Sequence, residues 1–193
     1  MSANGTLRLA TPDDAYAVHA IYAPIVRDTF ISFEIDPPAV EEVARRIASI
    51  LGRYPWIVFE DDLGVAGYAY ASEHRERLAY QWSVDVTCYV HERARRRGIA
   101  SRLYRALFRI LERQGFTNAF AGIALPNDAS VGMHASVGFV AIGTYVRVGF
   151  KCGNWHDVVW MGRGLAAPAT SPLPPVPLPS IGARIVEDAL AKS

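Results

Sequence analysis

The stretch from Trp82 to Gln114 concentrates the chemistry of this chain: an apolar strand, WSVDVTCYV, runs through the basic turn RARRRGIA into a helical pattern, SRLYRALFRILERQ. Gly98 and Ala100 let backbone approach a ligand closely, and Arg95, Arg96 and Arg97 supply positive charge. A helix that starts there adds unpaired N–H groups and the positive end of its dipole. That combination holds a phosphate group. It is not a Walker A loop, because no Gly-Lys-Ser/Thr closes it, and it is not the dinucleotide fingerprint, because GxGxxG is missing. The plainer alternative is a solvated, charged turn. Asp85 interrupts the strand with a carboxylate, which is costly there unless it is paired or used as a base. Its structural alternative is a carboxylate that accepts hydrogen bonds from a neighbouring loop. Cys88 falls on the opposite face from Asp85 by the two-residue period and has no base beside it, so a covalent intermediate on its thiol is not expected. His134 can give or take a proton near neutrality, although a lone histidine on a short helix is ordinarily a packing residue. His19, His74, His91 and His156 show no metal-ligand spacing, and no catalytic metal is expected.

The elements that must position these groups can be read from period and punctuation. TLRLA alternates as an opening strand, and Thr11-Pro12-Asp13-Asp14 starts a helix carrying Val18, Ile21 and Tyr22. After Pro24 the mixture RDTFISFEIDPP reads as a loop or short helix, and Val40, Val43, Ile47, Ile50 and Leu51 form a second helical stripe. WIVFE and VAGYAYAS flank an Asp/Gly turn as a hairpin, and a third strand over 77–90 completes an antiparallel meander. The helix after the basic turn puts Leu103, Leu107, Ile110 and Leu111 inward and Arg102, Arg105, Arg109 and Arg113 outward, with Gly115 as its cap. AFAGIAL then reads as a buried strand parallel to its predecessor, 128–137 as a short helix, and FVAIGTYVRVGF with WHDVVWMG as an antiparallel pair. The proline content of 166–179 argues against further core, and IGARIVEDALAK suits a last amphipathic helix.

Taken together, these segments resemble a known family. Arg95-x-x-Gly98-x-Ala100 after a strand is similar to the Q/R-x-x-G-x-G/A motif of the GNAT acyltransferases. Asn127, Ser130, His134, Gly138 and Phe139 are similar to the second GNAT signature, with His134 where the superfamily usually has Tyr. That histidine, with AYQWSVDVTCYV before it and GFKCGNWHDV after it, resembles the branch that acetylates phosphinothricin and methionine sulfone or sulfoximine. The resemblance spans Leu7 to Gly164. It implies an α/β domain over 1–165, a mixed and mostly antiparallel sheet flanked by helices, followed by a Pro-rich tail over 166–193 with a short terminal helix. It implies that acetyl-CoA is held by Tyr89, Val90, Arg95, Arg96, Arg97, Gly98, Ile99, Ala100, Ser101, Asn127 and Ser130. The acetyl group would pass directly from the thioester to the amine of a small amino acid or analogue. Asp85 stands where the branch has a Glu proposed as the base; being one methylene shorter, it would reach the amine directly or through a water. His134 would serve as acid or base. Arg77, with Arg75 as its rival, would grip a substrate carboxylate, and Phe33, Lys151, Trp155 and His156 would rim the acceptor pocket. The family's habit also implies a homodimer. The alternatives are a GNAT enzyme for another amine (polyamine, aminoglycoside or peptide N-terminus) and a non-catalytic CoA-binding module that docks through its Pro-rich tail. A polycationic acceptor would call for acids that this stretch largely lacks.

Composition sets the outer bounds. A length of 193 residues suits one domain, and 51% hydrophobic with 20% charged residues is ordinary for a soluble protein. A net charge of +1 gives no global field for nucleic acid or an anionic membrane, so the arginine cluster is a local feature. The two cysteines, Cys88 and Cys152, show neither CxxC spacing nor the density of a disulfide scaffold, and no signal-like or membrane-spanning run is present. A cytoplasmic protein is the expectation, without nucleic-acid or membrane partners.

Overall fold

Alternating apolar residues build the meander first. In the computed structural model, which describes residues 4–192, β1 (Thr6–Leu9), β2 (Trp56–Asp61), β3 (Gly64–Glu73) and β4 (Ser83–Val90) pair antiparallel in sequence order. Between β1 and β2 lie α1 (Ala15–Asp28) and α2 (Val40–Leu51), which pack together on one face of the sheet. The crossover helix α3 (Ile99–Gln114) covers the other face and delivers the chain to β5 (Asn118–Ala124), the one strand that runs parallel to its neighbour β4. The chain ends with α4 (Asp128–Ser136), β6 (Val140–Lys151), β7 (Asn154–Gly164) and α5 (Ala183–Ala191), and the seven strands are ordered β1-β2-β3-β4-β5-β7-β6.

One feature of the register makes the site. β4 and β5 pair at only three positions, Ser83 with Asn118, Val84 with Ala119 and Asp85 with Phe120. Beyond Asp85 the two strands part, because β5 continues in register with β7 while β4 stays with β3. The sheet is therefore continuous at one end of this pair and split at the other.

Three local expectations need correction. Pro24 does not end α1, which runs on to Asp28. Pro24 and Ala20 are both exposed, so the Ala20 carbonyl that loses its helical donor faces water. The third strand begins at Ser83, because Leu78–Tyr80 form a 3₁₀ turn and Arg77 sits at its head. The tail is not free of the core: Leu178, Ile181, Val186 and Ala189 are buried in the cluster under α3. The prolines leave the backbone extended, and its polar groups are met by Arg53 O, which accepts from Leu178 N at 3.0 Å, and by Gln114, whose side chain donates to Val176 O at 2.9 Å.

Candidate active site

The parted strands enclose a cleft of about 610 Å³. Its walls are Val86 to Val90 of β4 and Ala121 to Ala124 of β5; its mouth is formed by the turn before α3 and by the start of α4. Gly98 caps α3 at φ 76°, a left-handed conformation that glycine adopts without strain, and a Cβ built there would meet nothing within 4 Å. The corner therefore opens onto free space, with the unpartnered first-turn amides of α3 behind it. Arg95, Arg96, Gly98, Ile99, Ala100 and Ser101 all line the cleft, as do Tyr89 and Val90. Arg97 does not: its guanidinium lies 3.6 Å from Asp61, which also takes two hydrogen bonds from Arg93. The residues at this mouth fit a phosphorylated carrier, which Arg95, Arg96 and the amides of the first turn would hold.

Asn127 and Ser130 reach the cleft as parts of a helix cap. Asn127 Oδ1 accepts from Ser130 N at 3.1 Å, which starts α4 and leaves the Asn127 amide donors without a partner among the described residues. One turn on, His134 is 5% exposed and wedged against Tyr104 and Phe139. Its Nδ1 donates to Ser130 O at 2.8 Å, so Nε2 is the acceptor of the Tyr104 hydroxyl at 2.9 Å. Burial depresses the His134 pKa below its ordinary value, with the Ser130 carbonyl pulling the other way. The ring is thus a neutral histidine with both nitrogens engaged, and it holds the Tyr104 hydroxyl against the cleft floor.

Asp85 stands at the last paired position of β4 and β5, next to Val86 of the cleft wall. Val84 and Val86 pack toward α3, so Asp85 between them points to the opposite face, toward α1 and α2. Cys88, two positions beyond Val86, packs on the α3 side as expected, and burial pushes its thiol up to about 12. Burial also raises the Asp85 carboxyl, and His74 and Arg75 lower it part of the way back. His74 Nδ1 lies 2.6 Å from Asp85 Oδ1, and Arg75 lies 4.0 Å from the other carboxylate oxygen. The His74 ring stacks on Phe120 at 4.5 Å and meets Trp160 and Tyr80 edge-on. No spacing in the sequence marked His74; its place follows from the register that sets Ser72 opposite Asp85 and carries the next turn of chain over the carboxylate.

The acceptor-side residues separate. Arg75 belongs to the site, with its guanidinium 5.5 Å from the Trp160 ring and half exposed, whereas Arg77 is exposed at the head of the 3₁₀ turn and makes no ion pair among the described residues. Phe33 covers Gly149 so closely that a Cβ there would strike its ring. Trp155 is 61% exposed beside Phe150. Lys151 must be moved from the rim to the frame: it is 7% exposed, and its ammonium donates to Val26 O, Ser32 O and Glu34 O at 2.6, 2.7 and 2.6 Å. With all three donors spent on carbonyls, it fastens the end of α1 and the following loop to β6 and has none left for a substrate.

A split parallel pair, a half-buried carboxylate where its strands part and a glycine-cornered basic turn at its mouth together define an N-acyltransferase of the kind that uses a phosphorylated thiol carrier. Residues 7–160 match the acetyltransferase (GNAT) domain, and the chain belongs to that family of N-acetyltransferases. It is 39% identical over 172 residues to a phosphinothricin N-acetyltransferase of Streptomyces viridochromogenes, covering 89% of this chain and 92% of that one. It is 30% identical over 161 residues to an L-methionine sulfoximine/L-methionine sulfone acetyltransferase of Salmonella typhimurium, covering 81% and 92%. Among solved structures, a phosphinothricin acetyltransferase of Sinorhizobium meliloti in complex with AcCoA superposes with a TM-score of 0.85 at 35% identity, covering 90% of this chain and 96% of that one.

Proposed function

We propose that this enzyme transfers acetyl from acetyl-CoA to the α-amino group of a small anionic amino acid or analogue, with phosphinothricin and methionine sulfone or sulfoximine as the leading acceptors. The observation that carries the reading is Asp85 where β4 and β5 part, with a histidine on one carboxylate oxygen and an arginine beside the other. Bound acetyl-CoA would supply an activated acetyl thioester, with Arg95, Arg96, the α3 amides and the amide donors of Asn127 as its holders. The chain's own tasks are then to hold the amine, remove its proton and keep bulk water away. Asp85 and His74 lie on the α1–α2 face, while Tyr104 and His134 lie on the α3–α4 face, so two hydrogen-bonded pairs flank the cleft from opposite sides, the Tyr104 proton being engaged on His134 Nε2.

Arg75 is better placed than Arg77 to pair with a substrate carboxylate, being beside Asp85 and steadied over Trp160. The docking-module alternative loses ground because Leu178, Ile181 and Val186 of the tail are buried against the core. A second copy of the chain covering the apolar edge strand β6 goes with the family habit. A cytoplasmic setting goes with an acetyl-CoA-dependent reaction and two free thiols; among the described residues no helix is long and apolar enough to cross a membrane. The test is release of CoA from acetyl-CoA by the purified protein with an amino-acid panel that includes these analogues and their carboxamides. Arg75→Ala should raise KM for the acids far more than for the amides. Equal losses on acid and amide would remove Arg75 as the carboxylate grip, and CoA release only with polyamines would overturn the acceptor class.

A further inference from the structure

We infer that His74, oriented by Asp85, is the group that takes the proton from the acceptor ammonium, and that Asp85 acts through it as a positioning residue. The inference rests on the transfer reading given above. Asp85 Oδ1 and His74 Nδ1 are 2.6 Å apart, so in a neutral ring Nδ1 carries the hydrogen and the lone pair stands on Nε2. That Nε2 has no hydrogen-bond partner among the described residues, yet it is not among the buried unsatisfied atoms. It is therefore reachable from outside, although the side chain as a whole is only 13% exposed. Asp85, 27% exposed, has one oxygen engaged by His74 and the other 4.0 Å from the Arg75 guanidinium, so each of its oxygens already faces a basic group.

The surroundings fix the ring as a catalytic base requires. Phe120 stacks on one face at 4.5 Å, and Trp160 and Tyr80 contact it edge-on. A carboxylate on Nδ1 with a free Nε2 is the arrangement in which an imidazole takes a proton at one nitrogen while the buried carboxylate at the other fixes the tautomer and stabilises the cation formed. It also answers the missing methylene. A shorter acid at position 85 need not reach the amine through a water if an imidazole already bridges the distance.

The step balances as follows. The substrate ammonium gives one proton to His74 Nε2; the freed nitrogen pair forms the C–N bond to the acetyl carbonyl carbon while the C–S bond breaks. The second nitrogen proton ends on the sulfur, and His74 returns the first to solvent. No oxidant or further reactant is needed.

Two measurements test this. In the first, His74→Ala should lower kcat/KM for the best acceptor by ~10²–10⁴, the range for losing a general base, with the acetyl-CoA-induced rise in Tm retained. Added imidazole should restore part of the lost rate, since the space between Phe120 and Trp160 admits it, and the His74→Ala/Asp85→Asn pair should lose little more than His74→Ala alone. A His74→Ala enzyme within about threefold of wild type, or one that imidazole does not restore, overturns the assignment. In the second, ¹⁵N imidazole shifts should show His74 as the Nδ1–H tautomer with a bare Nε2 at neutral pH, and Asp85→Asn should abolish that preference. An Nε2–H tautomer in the wild-type protein overturns the proposal whatever the acceptor. If no amine in the panel releases CoA, the acceptor reading fails, and the tautomer still decides this one.

Discussion

At the scale of single residues, the environment decides between roles that type alone leaves open. His134 shows this. Its both-ends-engaged geometry and its burial make it neutral in the fold, with a pKa below the ordinary value of 6.5. In the unfolded chain the ring binds a proton near pH 6.5, so between that value and the lower folded one the unfolded state holds more protons. The stability that His134 contributes is therefore complete above about pH 6.5 and is lost as pH falls through the folded value. The Tm advantage of wild type over His134→Gln should shrink steadily from pH 7 to pH 5; an advantage constant over that range would contradict a buried neutral ring. Asp85 was legible in the sequence because a carboxylate amid Val, Thr and Cys on a strand is anomalous wherever the strand lies. His74 was not, because its meaning comes from a partner eleven residues away that only sheet register brings to 2.6 Å. Lys151 was misplaced for the same reason: nothing local announces that three carbonyls from the distant end of α1 and the loop after it will surround its ammonium.

At the scale of elements, the strand–turn–helix at β4–α3 was readable because its signals are local: period two, then a glycine corner, then an apolar stripe of period 3.6. Gly98 carries the sharpest consequence. At φ 76° any side chain is strained, by roughly 1–2 kcal/mol for a residue that dislikes the left-handed region. Because a Cβ there points into open space, the empty protein should still fold. Gly98→Val is thus expected to lower Tm by several degrees and to abolish the further rise that acetyl-CoA gives wild type. A normal ligand-induced shift in a folded Gly98→Val protein would remove the turn as the phosphate seat. The tail misled because proline was read as a sign of solvation, whereas it excludes only helix interiors and central strands. An irregular segment that ends in the 3₁₀ turn Leu178–Ser180 can still bury Leu178 and Ile181 if other groups meet its backbone.

At the scale of the whole molecule, β6 is the feature that a single chain leaves unexplained. It is an edge strand, and Val140, Ile142, Tyr145, Val146, Val148 and Phe150 are each more than half exposed along it. An apolar edge of this length invites pairing with another chain. Sedimentation should find a dimer at micromolar concentration, and Val146→Asp with Val148→Asp should give a folded monomer; a wild-type monomer at that concentration would leave the edge to another role. The short β4–β5 pairing has a mechanical meaning as well. Within the sheet only three residue pairs join β1–β4 to β5–β7, with the crossover helix and the Lys151 contacts to α1 and its loop as further ties, so the sheet is two plates on a short hinge. The tail spans that hinge from behind: Trp82 Nε1 donates to Leu173 O, Val176 N to Gln114 O and Leu178 N to Arg53 O, before α5 settles beside β1 and α3. Residues 173–192 thus tie the far end of the chain to the first plate from behind, and shortening this tie is expected to weaken acetyl-CoA binding, read as a raised Kd.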